Sequence, residues 1–209
     1  MDYRDIAATY NASAEAYAKF SLGREDAANL VRLAHTLRPG AAVLDIGCAA
    51  GRDCGLLQSA GFSVTGADIS ARLLAIAKKA YPDIPFVLAD MRSLPFKNQS
   101  FDAVWASAVL HHAERKEMQH VLREFNRVLK PAGFIYIMTK FGKGVLQSTD
   151  ASVAGKERSF TLLSESELDS LLKEARFKKQ FSELRDSTSR KNLRWLYVIA
   201  KKTGNINQS

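Results

Sequence analysis

Short apolar runs alternate with longer amphipathic stretches through the middle of the chain. Residues 41–46 and 101–106 are largely apolar runs too short for helices, a pattern typical of strands buried on both faces. The stretches after them carry apolar residues at helical spacing and end near proline or glycine, as at Pro82. Five such alternations predict a mostly parallel sheet with helices on both faces. The predicted strands are 41–46, 62–68, 85–90, 101–106 and 134–139, and the predicted helices between them run to about residue 60, over 71–80 and over 114–129.

Two segments lie outside this alternation. Residues 1–38 carry alanines and tyrosines at helical spacing and predict a helical N-terminal cap, which ends at Pro39-Gly40. Residues 141–160 are rich in Gly, Ser and Lys and predict a long loop, a usual place for substrate contacts.

The C-terminal part adds two strands to the sheet. Ser164 and Glu167 have the spacing of a capping box and predict a helix that ends near Ala175. Strands are predicted over 177–184 and 195–201, with a polar link between them that could form a crossover or a hairpin. A hairpin makes the last strand antiparallel, and with it residues 1–209 form a single α/β domain around a seven-stranded sheet.

The composition of the chain argues against disulfide cross-links, a metal site and a membrane span. With 46% hydrophobic residues, the 209-residue chain can bury one core without cross-links. Cys48 and Cys54 lie too close together to staple a fold, and the four histidines lack metal-ligand spacing, so no metal site is expected. No apolar run indicates a signal peptide or a membrane span, and a cytoplasmic location is expected. The oligomeric state has no signal in the sequence.

The net charge of +8 leaves the class of partner open. A basic chain can bind nucleic acid, a membrane surface or a small anion. The basic residues are scattered, so a solvated surface is as good an interpretation as a functional patch. No stretch interleaves aromatic and basic residues as an RNA platform does. RNA stays an alternative partner, and a small molecule is favoured.

Three acids stand at the ends of successive predicted strands: Asp45, Asp68 and Asp90. Ligands of doubly wound sheets bind at this edge. The turn over 45–51 carries small residues that let a ligand approach the backbone, but it lacks the G-x-G-x-x-G spacing of dinucleotide sites, which argues against NAD. Asp68 lies about twenty residues beyond that turn, where an acid accepts hydrogen bonds from ribose hydroxyls.

These residues carry a family resemblance. Val43 to Asp53 resembles motif I of the class I S-adenosylmethionine-dependent methyltransferases, and Val64 to Ser70 resembles their second motif. Ala89-Asp90-Met91 resembles the third motif of the family, and Phe101 to His112 resembles the fourth. Leu129 to Gly133 is similar to the turn that precedes the family's fifth strand. The resemblance covers nearly the whole chain and implies a Rossmann-like fold with S-adenosylmethionine as cofactor. Residues 10–17, 140–144 and 158–161, with Arg190 and Trp195, are similar to one bacterial subgroup whose acceptors are mostly unassigned.

The resemblance also implies the roles of single residues. Gly47 and Ala49 pass the methionine end of the cofactor, with Asp45 supporting its ammonium group, and Ala49 stands where the family usually has glycine. Asp68 is expected to accept hydrogen bonds from the ribose hydroxyls. The remaining cofactor residues are Ile69 after it, Asp90 at the adenine amine, Met91 against the ring and Ser107 beside the sulfonium.

Candidates for the acceptor side follow the fourth and fifth strands or lie in the cap. His111 could act as a base, although a structural histidine is the more common use. Tyr10 and Tyr17 are two helical turns apart and share a face, which could serve packing alone. Lys140 and Arg158 could hold a carboxylate or phosphate, or be solvated loop charges. The other candidates are Trp105, Arg190 and Trp195.

The function expected from these residues is methyl transfer from S-adenosylmethionine to a small acceptor, with an anionic acceptor as one interpretation. The alternatives are an RNA-directed methyltransferase and a protein that binds S-adenosylmethionine without catalysis.

Overall fold

The computed structural model describes residues 3–22, 27–149, 151–188 and 192–204. The helices are α1 Tyr3–Ala12, α2 Ala14–Leu22, α3 Ala27–Ala34, α4 Arg52–Ser59, α5 Ala71–Ala80, α6 Arg115–Val128 and α7 Glu165–Glu174. The strands are β1 Ala42–Ile46, β2 Ser63–Asp68, β3 Phe86–Leu88, β4 Phe101–Ser107, β5 Leu129–Phe141, β6 Val145–Thr149, β7 Glu157–Thr161, β8 Phe177–Asp186 and β9 Arg194–Lys202.

Seven strands form one sheet in the order β3-β2-β1-β4-β5-β9-β8. The first five strands pair in parallel, while β9 runs antiparallel to both β5 and β8. This confirms the predicted seven-stranded Rossmann-like sheet and its antiparallel last strand. The chain runs outward from β1 through β2 and β3, then returns to place β4 on the other side of β1. The order therefore reverses between β1 and β4, where ligands of such sheets bind.

Side chains of β4 alternate between the two faces of the sheet. Val104 packs with Phe125 of α6 on one face, and Trp105 stacks on Tyr136 of β5 on the other, with ring centroids 3.8 Å apart. Because both faces are covered, the strand is apolar along most of its length. Only its last residue, Ser107, reaches the carboxyl edge of the sheet with a polar side chain.

The predicted helix starts have the expected caps. Ser164 accepts from the backbone N–H of Glu167 while the Glu167 side chain returns to Ser164, the reciprocal pair of a capping box. Ser70 caps α5 by accepting from the N–H of Leu73 at 3.2 Å. None of the helices in the described part of the chain is long and apolar enough to cross a membrane.

Residues 141–160 are not the predicted long loop. They contain an antiparallel hairpin in which Leu146 of β6 pairs with Phe160 of β7. The hairpin packs on a 3₁₀ turn, Leu110–His112, and Thr161 donates to the carbonyl oxygen of Ala113 at 2.8 Å. The alternation of β6 is weak because its exposed positions include Val145 and its half-buried ones include Ser148. The segment is therefore an ordered wall beside β5.

Candidate cofactor and acceptor site

A cavity opens at the carboxyl ends of β1, β2 and β4. The space between its walls measures about 770 Å³, part of which is open to solvent. Helices α1 and α2 form the opposite wall, so the N-terminal cap covers the strand ends. On the wall formed by the strand ends, the structure brings together seven predicted cofactor residues: Gly47, Ala49, Asp68, Ile69, Asp90, Met91 and Ser107.

The turn after β1 is built from left-handed backbone. Gly47, Ala49 and Gly51 have φ angles of 75°, 50° and 83°. The N–H of Gly47 donates to the carbonyl oxygen of Ala67 at 2.8 Å, which holds the turn against β2. A Cβ atom on Gly47 would lie 2.6 Å from Cγ2 of Val109, a distance that real contacts do not reach. Glycine is therefore required there on both conformational and steric grounds.

Asp68 joins two elements of the site. One carboxylate oxygen accepts from the N–H of Ala49 at 2.8 Å, and the other accepts from the N–H of Ser70 at 2.8 Å. Burial raises the pKa of Asp68 above its ordinary value. The Ser70 hydroxyl in turn donates to Asn11 of α1 at 2.8 Å. The carboxylate thus fixes the β1 turn relative to the start of α5, and Asn11 ties the cap to the same corner.

Arg92, which was not among the residues predicted from the sequence, forms a salt bridge with Asp90. The Arg92 guanidinium donates to both carboxylate oxygens of Asp90, with a shortest distance of 2.7 Å, and to Glu117 at 2.8 Å. The ring of Tyr3 lies 4.4 Å from the same guanidinium. All four residues line the cavity. Arg92 stands two positions beyond Asp90, but nothing in the sequence pairs it with Glu117, which lies 25 residues away.

A second pocket lies beside the β1 turn. Because Tyr17 and Gly47 line both pockets, we call it the second lobe of the cavity. Asp45 and Asp53 belong to the second lobe. Asp45 is only 2% exposed and accepts from the Cys54 thiol at 3.1 Å. Burial, and then the charge of Asp53, raise the pKa of Asp45 well above its ordinary value. Two close carboxylates in a buried lobe are stabilised by a cationic group.

Trp105 does not reach the acceptor side, and its prediction as a substrate contact is corrected. It is 1% exposed, because the alternation of β4 turns its ring into the core against Tyr136. Its indole N–H donates to Asp53 at 2.9 Å, and Arg52 donates to the other oxygen of Asp53 at 2.7 Å. Trp105 therefore orients an acid of the second lobe.

His111, the predicted base, also lies off the cavity wall, while the adjacent His112 is on it. The 3₁₀ turn advances about a third of a turn per residue, so consecutive side chains point in different directions. His111 is 2% exposed and packs on Phe160 and Trp195, with ring centroids 5.0 and 5.8 Å away. A pair of adjacent histidines was visible in the sequence, but the direction of each was not.

A chain of hydrogen bonds joins the cap to the hairpin at this point. Arg158 donates to the hydroxyl oxygen of Tyr10 at 3.0 Å and to the hydroxyl of Ser152 at 3.3 Å. The Tyr10 hydroxyl oxygen also lies 3.1 Å from Nε2 of His112, within hydrogen-bond distance. Burial, followed by the positive charges of Arg158 and Lys140, lowers the pKa of His112 to about 3.

Lys140 and Arg158 lie one side chain behind the cavity wall, which corrects their predicted direct contact with the acceptor. Lys140 is 5% exposed, and its Nζ lies 4.0 Å from the ring centroid of Trp195 and 4.5 Å from that of Phe160. Arg158 is 7% exposed and reaches the cavity through Tyr10. Lys140 is held inward by β5 and Arg158 by β7 of the hairpin, as paired strands fix the direction of their side chains. Arg190 lies outside the described residues.

Comparisons with known proteins agree on one family. A family model described as a methyltransferase domain matches residues 44–137, which include the β1 turn and the strand ends. A solved S-adenosylmethionine-dependent methyltransferase of Methanosarcina mazei superposes with a TM-score of 0.75 at 25% identity, covering 82% of this chain and 96% of that one. Residues 44–137 therefore match a methyltransferase domain, and the fold of the chain is similar to that of S-adenosylmethionine-dependent methyltransferases.

The curated relatives that the chain matches are named for different acceptors. A demethylmenaquinone methyltransferase of Renibacterium salmoninarum is 36% identical over 99 residues, which are 47% of this chain and 41% of the relative. A malonyl-[acyl-carrier protein] O-methyltransferase of Enterobacter lignolyticus is 26% identical over 82% of this chain and 68% of its own length. The chain thus spans less than half the length of the Renibacterium enzyme.

Replacing Ala49 with glycine should stabilise the folded protein. A left-handed conformation costs alanine about 1–2 kcal/mol, and the extra freedom of glycine in the unfolded chain offsets roughly half of that. We expect a gain of about 0.5–1 kcal/mol, seen as a rise of about 2–4 °C in the melting temperature. Because Ala49 lines the cavity, the same change should tighten S-adenosylmethionine binding several-fold by calorimetry.

Ala132→Gly is the matched control, since Ala132 has a φ of 59° at an exposed, irregular position of β5 and does not line the cavity. It should raise the melting temperature without changing affinity for the cofactor. Equal affinity in Ala49→Gly and the parent would contradict the crowding expected at Ala49.

Proposed function

We propose that this methyltransferase binds S-adenosylmethionine in the cavity and transfers its methyl group to a small acceptor that carries an anionic group. The observation that carries the proposal is the placement of Asp68 and Asp90 beside a left-handed turn, at the reversal point of the sheet. Ligands of doubly wound sheets bind at this point, and the family uses this cofactor.

The lining of the cavity fits an adenosyl group. Ile69, Leu73 and Met91 offer apolar surface to a purine, while Asp68 and Asp90 offer acceptors to hydroxyl and amine hydrogens. The absence of a side chain on Gly47 leaves the backbone of the turn accessible. The donors and acceptors that the wall provides are those that adenosine requires, which supports the residue roles implied by the resemblance.

The second lobe fits the amino-acid end of the cofactor. Asp45 and Asp53 would hold an ammonium group, with Arg52 and Trp105 fixing Asp53 in place. Ser107 and Tyr17 line both lobes and would stand where the lobes meet. The bound cofactor supplies a methyl group already activated by the sulfonium, so the protein mainly has to align the acceptor and exclude water.

The acceptor would occupy the space between the cap and the hairpin. Tyr10 and Tyr17 contact each other with ring centroids 4.8 Å apart, and both line the cavity together with His112. This enclosed, aromatic space supports a small acceptor over a nucleic acid. Demethylmenaquinone and malonyl groups on acyl carrier protein, for which the two relatives are named, are consistent with such an acceptor.

Release of S-adenosylhomocysteine tests catalysis. The purified protein with S-adenosylmethionine should form this product when a low-molecular-weight extract of the source cells is added, and not when purified RNA from the same cells is added. Product only with RNA would support the RNA-directed alternative, and tight cofactor binding without product in either case would support the non-catalytic one.

Lys140→Gln should raise the Michaelis constant for the acceptor in the extract fraction that supports turnover. A buried charge one side chain behind the wall attracts an anion through a medium of low effective dielectric constant, and removing it should cost about threefold to tenfold. Affinity for S-adenosylmethionine should stay unchanged. Lys143→Gln removes an equal charge from an exposed position of the same segment and is the control. Identical Michaelis constants in the two variants would show that Lys140 serves packing alone.

A further inference from the structure

One face of α6 holds the segment of chain that follows β3. Four polar residues of the helix recur every three or four positions and contact this segment: Glu117, His120, Glu124 and Arg127. Nε2 of His120 lies 2.7 Å from the carbonyl oxygen of Arg92, and Glu124 accepts from the N–H of Leu94 at 3.0 Å. Arg127 donates to the carbonyl oxygen of Leu94 at 2.9 Å. The main chain of residues 92–94 is therefore fixed relative to α6.

The Arg92 guanidinium is held by two acids. Nε and Nη2 donate to Oδ2 of Asp90 at 3.0 and 2.7 Å, while Nη1 donates to Glu117 at 2.8 Å. The backbone N–H of Arg92 donates to Oδ1 of Asp90 at 3.0 Å. All three guanidinium nitrogens thus have a carboxylate partner, so the group cannot turn toward a ligand without breaking one of these contacts. Its planar fork also fixes the rotation of the Asp90 carboxylate, which a single-point cation would not do.

The N-terminal cap covers this group. The guanidinium carbon of Arg92 lies 4.4 Å from the ring centroid of Tyr3, and the side chains of Arg92 and Asp90 are only 22% and 24% exposed. Partial shielding from water strengthens such contacts relative to those of a fully exposed ion pair. Tyr3, Asp90, Arg92 and Glu117 all line the cavity. The cluster is therefore a fixed part of the wall, on the side where the adenosyl group fits.

A carboxylate held in one direction distinguishes purines by their substituent at position 6. An ionised carboxylate only accepts hydrogen bonds. Adenine donates from its 6-amino group, whereas the 6-oxo group of hypoxanthine accepts, and the nearest donor of hypoxanthine is the N1–H group one ring position away. A carboxylate that is free to turn could follow the donor to this new position. A carboxylate held by Arg92 would instead face the oxo oxygen, and its own acceptor would stay unpaired.

We propose that Arg92 is a positioning residue that makes the site specific for a 6-amino purine, because it holds Asp90 in the direction of the amino group. This inference rests on the proposed function and deepens it for the purine end of the cofactor. Asp90 contacts the purine in this scheme, Arg92 acts through Asp90, and Glu117 acts through Arg92.

Calorimetry with two ligands that differ only at the purine tests this specificity. The ligands are S-adenosylhomocysteine and its deaminated analogue S-inosylhomocysteine, each added to the purified protein. The parent should bind the adenosyl ligand roughly tenfold to a hundredfold more tightly, the effect of one charge-assisted hydrogen bond. In Arg92→Gln the adenosyl ligand should bind more weakly while the inosyl ligand changes little. The ratio of the two dissociation constants should then fall to within about threefold of one.

The ratio separates a positioning role from a structural one. If Arg92 only stabilised the fold, its loss would weaken both ligands by the same factor and leave the ratio unchanged, which would overturn the inference. Arg92→Lys keeps the charge without the planar fork and should restore part of the ratio. Arg123→Gln is the matched control, since Arg123 is an exposed arginine of α6, and its ratio should equal that of the parent.

Glu117→Gln tests the second step of the scheme. Glutamine at this position still supports the capping box of α6, but it removes the charge that holds Nη1 of Arg92. The ratio should fall by a smaller factor than in Arg92→Gln, and adding Glu117→Gln to Arg92→Gln should change it no further. Additive effects of the two substitutions would contradict the claim that Glu117 acts through Arg92.

The parent protein alone distinguishes failure of this inference from failure of the proposed function. A parent that does not bind S-adenosylhomocysteine would contradict the proposed function. A parent that binds both ligands with equal affinity would contradict only the specificity for a 6-amino purine.

Discussion

Asp68→Ala should remove most of the stabilisation that S-adenosylmethionine gives to the folded protein. The side chain is 7% exposed and is the acid that faces the cavity from the end of β2. Losing two charge-assisted hydrogen bonds to ribose hydroxyls costs about 3 kcal/mol or more, equivalent to a dissociation constant weaker by at least about 100-fold. At a fixed cofactor concentration, the cofactor-induced rise in melting temperature should therefore be smaller in Asp68→Ala than in the parent, by about 5–10 °C.

The unliganded melting temperature of Asp68→Ala shows how much of the effect is structural. Asp68 also accepts from Ala49 and Ser70, so some loss of stability without cofactor is expected. Asp83→Ala, at an exposed turn, removes an equal charge and should leave both measurements unchanged. A cofactor-induced shift in Asp68→Ala equal to that of the parent would mean that this acid does not contact the ribose.

Gly47→Ala should cost roughly 2–5 kcal/mol of folding free energy and abolish cofactor binding. The left-handed backbone accounts for about 1–2 kcal/mol, and forcing a methyl group against Val109 accounts for about 1–3 kcal/mol more. Chemical denaturation measures the loss directly. Because the same residue lines both lobes of the cavity, a shifted turn should also displace the surface that the cofactor needs.

Gly61→Ala separates the two causes. Gly61 has a φ of 88°, but an added Cβ would meet nothing within 4 Å. It should lose only the conformational part, about 1–2 kcal/mol. Adding Val109→Ala to Gly47→Ala should recover part of the steric cost, which a double-mutant cycle measures. Equal losses at the two glycines, with no recovery, would contradict the steric explanation.

The sheet could be predicted because each of its signals is local. A buried parallel strand is a short apolar run, and the runs from Ala42 to Phe141 matched the observed strands to within a few residues at most ends. The acids at strand ends were informative for the same reason, since the carboxyl ends of parallel strands share one edge. Spacing alone thus placed Asp68 and Asp90 near each other.

Features that depend on side-chain direction could not be read from the sequence. A single step along a 3₁₀ turn decides that His112 faces the cavity and His111 the core. The alternation of β4 places Trp105 in the core against Tyr136. The sequence does not show which side chains of the strand lie on that face of the sheet. The contact of Arg92 with Glu117 depends on how α6 packs over the end of β3, a tertiary contact with no local signal.

The hairpin of residues 145–161 shows a different limit. Gly and Lys lie before β6 and between the two strands, so composition indicated a loop although Leu146 and Phe160 pair across the hairpin. The consequence for the site is large, because an ordered hairpin holds Arg158 against Tyr10 and thereby joins the C-terminal half of the chain to the N-terminal cap.

Titration calorimetry with S-adenosylmethionine and NADH, each added to the purified parent protein, tests the central claim most directly. The account predicts a single-site isotherm with S-adenosylmethionine and no binding of NADH, since the turn after β1 lacks the dinucleotide spacing and the cavity fits one adenosyl group with an amino-acid tail. Binding of NADH without binding of S-adenosylmethionine would contradict it.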